Sequence, residues 1–146
     1  MCIPGFIPMP SDSTISLLLS LPIGIISGLY SGLIVTRYSR FSALRNEALR
    51  LIRRIDYMQE GDLVVISNNE HISELLYISS DLLFLKHRKA GEQISKLLRD
   101  ISNTTYDAET GKIDSTEYSL RHGKWQETTR ELPGNKLVLW ALWGNI

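Results

Sequence analysis

The chain has 146 residues, a single cysteine, and basic and acidic residues in equal number, so its formal net charge is zero. One cysteine excludes an intramolecular disulfide framework and any multi-cysteine metal site. A zero balance leaves no global field to steer the chain to nucleic acid, which is not an expected partner.

In chain order, residues 1–14 read as a short extracytoplasmic tail whose start, Met1-Cys2-Ile3-Pro4, fits no lipidation signal. Ile15 to Val35 then carries no charge between Asp12 and Arg37. As a helix this stretch reaches roughly 31 Å, about the hydrocarbon thickness of a bilayer. The spacing predicts a transmembrane helix over residues 15–36, uncleaved, because no Lys or Arg precedes it and its apolar run exceeds the ~7–15 residues of a signal peptide. Arg37, Arg40 and Arg45 follow the span with no basic residue before it. That bias predicts an outside N-terminus and a cytoplasmic C-terminus in a cell membrane; a bacterial inner membrane is the membrane assumed, with no sequence feature that fixes the organism. The same three arginines are the expected contacts to anionic lipid.

Within the span, Gly24, Gly28 and Gly32 repeat at four-residue steps, extended by Ser20. With Gly24 at zero, Ser20, Ser27, Gly28, Ser31 and Gly32 all fall between about −80° and +80° on a helical wheel. Ile26, Leu29 and Leu33 cover the other side. Small residues gathered on one face let two helices approach closely, so Ser20, Gly24, Ser27, Gly28, Ser31 and Gly32 are the expected packing face of a homo-oligomer.

Residues 37–103 read as a cytoplasmic helical hairpin. Phe41, Leu44, Ala48, Leu51, Ile55 and Met58 are spaced 3, 4, 3, 4, 3 and predict a helix continuing to Gly61. On a straight helix this stripe faces away from the glycines, so it is assigned to packing within the chain. A second helix is expected from Asn69 to Ser102, with Gly91 its weak point and Leu63–Ile66 before it a short strand or apolar loop. Beyond Asn103 threonines gather and Gly111, Gly123 and Gly134 recur at steps of 12 and 11 residues. That texture predicts a β meander over 104–146, with strands near 104–109, 112–120, 124–132 and 136–143. The last carries Trp140 and Trp143 and is expected to be buried or to touch the membrane interface.

The fold class expected is therefore α+β and membrane-anchored: one N-terminal transmembrane helix, a helical hairpin, then a small antiparallel meander. No nucleophile elbow, P-loop, zincin or dinucleotide motif occurs. Glu70-His71-x-x-Glu74 reads as an exposed helical turn rather than a metal site. Asp107–Asp114 reads as a turn, because its glycine stands fifth where a calcium loop needs it sixth. No catalytic residue, cofactor or metal is expected. The leading reading is a non-enzymatic single-pass membrane protein that self-associates and presents an interaction module to a cytoplasmic protein partner, as a sensor or scaffold subunit. A membrane-perturbing oligomeric effector is the alternative, and a membrane-anchored enzyme the second.

Overall fold

The structure, a computed structural model, describes residues 12–60 and 63–140, with the backbone alone at 12–19, 21, 59, 60 and 63. Residues 1–11 of the tail expected over 1–14, with Cys2, and Trp143 with the end of the last expected strand lie outside the described residues. The chain divides into two compact units, Met1–Thr36 and Arg37–Ile146. The elements in order are α1 (Asp12–Arg53), β1 (Asp56–Glu60), β2 (Leu63–Asn68), a 3-10 turn (Glu70–Ser73), α2 (Glu74–Phe84), α3 (Arg88–Glu109), α4 (Ser115–Arg130) and α5 (Lys136–Trp140).

The membrane-anchored fold class is not supported: among the described residues no helix is long and apolar enough to cross a membrane. A span needs about 20 predominantly apolar residues. Here the charge-free stretch interleaves its Ile, Leu and Val with Pro22, three glycines and four serines.

In the larger unit, Phe41, Ala48, Leu51, Ile52 and Ile55 are buried and form one wall of the core, along and just beyond the end of α1. Met58, the last residue of the expected stripe, stands 63% exposed, because α1 stops at Arg53 and the chain turns into β1. Arg50 and Arg53 in the last turn suit the negative end of the helix dipole. Leu63–Ile66 belongs to a strand: β2 pairs antiparallel with β1, Tyr57 opposite Ile66 and Met58 opposite Val65, with a register irregularity at Asp56/Tyr57. Val64 points into the core while Val65 is exposed, the alternation expected of a half-covered sheet.

The expected second helix is broken, and not at Gly91. The amides of Lys86 and His87 bond back to Leu83 O (2.9 Å) and Leu82 O (2.8 Å), with Lys86 at φ 62°. These paired bonds around a left-handed residue form a Schellman end. A lysine there carries no sequence signal, since glycine normally occupies that position. Gly91 instead lies in the first turn of α3 against α2, where Ser79 Oγ donates to Gly91 O at 2.8 Å.

The β meander is likewise overturned: residues 104–140 are the end of α3, then α4 and α5. Helical periodicity continues past Asn103 through Ile94, Leu97, Ile101, Thr104 and Ala108, all buried. Threonine methyls serve there as core surface. Thr110, Thr128 and Thr129 return their hydroxyls to carbonyls four residues earlier, so β-branched residues are accommodated on helices. Gly111 (φ 71°) ends α3: its amide bonds Ala108 O and that of Lys112 bonds Asp107 O, a second Schellman end rather than a hairpin turn. Asp114 then caps α4, accepting from the Glu117 amide at 2.7 Å. Gly123 sits inside α4, and α5 begins where Asn135 Oδ1 accepts from the Leu137 amide at 3.1 Å.

Candidate functional site

Three places bring polar or apolar groups together in a way the packing alone does not require. The first is the small-residue face of α1. A Cβ built on Gly24, Gly28 or Gly32 would meet nothing within 4 Å. The hydroxyls beside the glycines are turned inward onto their own helix: Ser27 Oγ donates to Gly24 O at 3.3 Å, Ser31 Oγ to Gly28 O at 3.0 Å and Thr36 Oγ1 to Gly32 O at 2.8 Å. Groups satisfied in this way can leave water at little cost. Ser20 is exposed on the same face, and Ile23, Ile25, Ile26, Leu29, Leu33 and Val35 are exposed around the rest of the segment.

The second is a groove of about 360 Å³ between α1 and α2, lined by Arg40, Ala43 and Leu44 on one side and Asp81, Phe84 and Leu85 on the other. Phe84 is 85% exposed, the most exposed large apolar side chain among the described residues. Of the arginines expected to meet lipid, Arg40 opens onto this groove, Arg37 donates to Val138 O of α5 at 3.0 Å, and Arg45 is half-buried. A second open recess, of about 570 Å³, is lined by Tyr57, Ser115, Thr116, Ser119 and Leu120.

The third is His87, buried in the turn between α2 and α3. Its Nδ1 accepts the Asn135 amide at 3.0 Å and its ring lies 4.6 Å from that of Phe41. An accepting Nδ1 fixes the neutral tautomer with its proton on Nε2. Burial lowers the His87 pKa below the usual imidazole value. The sign follows by linkage. Stability is full above about pH 6.5, and is lost as pH falls from there through the depressed folded value, because the unfolded chain binds the proton first. The expected loss on acidification from pH 7 to 5 is up to about 1.4 kcal/mol per pH unit from this one group. Urea midpoints of the parent and of His87→Gln across that range check it; parallel curves would refute the assignment.

An aromatic cluster completes the larger unit. Tyr57 meets Tyr118 edge-on at 4.8 Å, Tyr118 meets Trp125 at 5.8 Å, and His122 Nε2 lies 2.9 Å from Ile52 O at the end of α1. Burial pushes the Tyr118 pKa up, against a weaker opposing pull from the Thr105 hydroxyl. Neither hydroxyl has a partner of good hydrogen-bond geometry. The cluster's role is packing: it holds α4 on the sheet.

His71 Nδ1 lies 2.8 Å from Glu74 Oε1 on the surface, and among the described residues no three His, Cys, Asp or Glu side chains gather to hold a metal. Asp107 pairs instead with Lys112 at 3.1 Å, across the end of α3. The residues that sequence reasoning missed are Asp81, Phe84 and His87. The only available signal was that Leu76, Tyr77, Leu83 and Phe84 make α2 apolar beyond what one core face needs. The chain matches no protein-family model, and neither a curated protein nor a solved structure matches it.

Proposed function

We propose that this chain is a non-enzymatic, self-associating interaction protein, its copies joined through the α1 face of Ser20, Gly24, Ser27, Gly28, Ser31 and Gly32. One observation carries the reading. The face offers open space at every glycine and hydroxyls already bonded to their own helix, so a second helix can come close without stranding a polar group. Ile23 and Ile25, exposed at the two edges of that face, add apolar area to the same contact. The unit from Arg37 onward is then what the assembly presents to other proteins.

Gly28→Ile is expected to cut self-association about tenfold or more, because its side chain would stand in the space the partner helix needs. Single cysteines placed one at a time from position 20 to 34 in a Cys2→Ser background, oxidised and resolved by size, report the contact. Cross-links should recur with Ser20, Gly24, Ser27 and Ser31. Cross-links with the period of Ile26, Leu29 and Leu33, or a monomer at every position, would overturn the proposal.

A further inference from the structure

We infer that the exposed side of α2 and the groove beside it form a second, two-fold contact with another copy of this chain, with Phe84 of each copy seated in the groove of the other. With Leu76 at zero on a helical wheel, Leu83, Ser80, Phe84 and Tyr77 fall between about −20° and +100°. The buried residues Leu75, Ile78, Ser79 and Leu82 occupy the opposite side. Four large apolar side chains on one exposed face of an 11-residue helix, beside an apolar groove, are more than a surface helix needs.

The charges on this face select the occupant. Arg40 and Asp81 line the same groove from its two walls, yet they form no ion pair with one another or with any other side chain among the described residues. One free cation and one free anion on one patch is the pattern a two-fold interface uses, because the symmetry axis brings each onto its opposite twice. A groove for a strongly acidic or basic partner would carry one sign. The zero formal net charge of the chain also removes long-range repulsion between copies. A contact one helix wide is small, which makes it reversible rather than obligate. This face is separate from the glycine face of α1, and each contact is tested by its own cysteine.

The experiment uses the full chain with Cys2→Ser and Ser80→Cys, an exposed position in the middle of the α2 face. Oxidative cross-linking through the thiol introduced at position 80 reads this contact, and the glycine-face cysteines read the other. Arg40→Asp places two like charges together twice, and so does Asp81→Arg. Each is expected to lower the cross-linking yield about tenfold while leaving the glycine-face cross-links unchanged. Mixing the two variants restores both opposite pairs, and the yield should return as a heterodimer. Both residues are exposed, so circular dichroism should be that of the parent. A yield insensitive to either reversal, no recovery on mixing, or no cross-link in the parent would overturn the inference. Loss of the glycine-face cross-links alone would overturn the α1 reading and leave this one standing.

Discussion

Trp125→Ala is expected to destabilise the larger unit by about 3–5 kcal/mol, the range for emptying a buried aromatic site. The indole is 2% exposed, its Nε1–H donates to Asp100 Oδ2 at 2.6 Å, and its ring meets Tyr118 and His122 edge-on. Truncation therefore opens a cavity where α3 and α4 meet and leaves the Asp100 carboxylate without its donor. Marginal domains hold about 5–15 kcal/mol in total, so this one change removes a large share. Trp125→Phe keeps a ring but loses the donor and part of the indole's buried volume, for which about 1–3 kcal/mol is expected. Urea unfolding followed by circular dichroism separates the two. Equal costs for Ala and Phe would show that the hydrogen bond and not ring packing dominates, and no shift for either would mean that α4 is not part of the core.

The position of Trp125 also explains where sequence reading succeeds and where it does not. The α1 stripe is legible because Phe41, Ala48, Leu51 and Ile55 are plainly apolar at helical spacing, and the core forms on them. On α4 the inward positions are Tyr118, His122, Trp125 and Thr129, spaced 4, 3 and 4. That is the same helical rhythm written in residues that score as polar or β-prone, so the pattern is hidden and the turn glycines dominate the reading. Threonines mislead in the same way: Thr128 and Thr129 of α4 return their hydroxyls to their own helix, and Thr104 and Thr105 of α3 are buried in the core. The break at Lys86 is illegible for a different reason: a lysine, not a glycine, takes the left-handed position there, beside the buried His87. The glycine face of α1 is legible as a pattern. The groove residues are not, because Arg40 and Asp81 lie far apart in sequence and come together only when α2 packs on α1.

Gly91→Val should cost about 3 kcal/mol, although glycine in a helix is ordinarily a liability that a larger residue relieves. A Cβ at this position would lie 2.7 Å from Leu83 Cγ, 2.9 Å from its Cδ2 and 3.0 Å from the Ser79 carbonyl. Real Cβ atoms do not sit as close as the two Leu83 distances, so either the Leu83 side chain must move or α2 and α3 must part. Separation would also pull on the bond from Ser79 Oγ to Gly91 O and on its 2.7 Å contact with Ser95 Oγ, a polar pair held between the two helices. Gly91→Ala sets two opposing effects against each other, a gain of about 1 kcal/mol in helix propensity and an overpacking cost of about 1–3 kcal/mol. The clash is expected to win by about 1 kcal/mol. Leu83 is half exposed, so Leu83→Ala alone should be mild, and combined with Gly91→Ala it should recover most of the loss. Urea midpoints for the two single variants and the double variant give the coupling directly. A favourable coupling of about 1–2 kcal/mol, from the size of the net loss up to that of the clash itself, identifies Leu83 as the side chain that must move. Zero coupling with the Gly91→Ala loss intact would place the clash on the Ser79 carbonyl, where the backbone has no rotamer to yield. If Gly91→Val matched the parent, α2 and α3 would not pack as closely as their interlocked serines require.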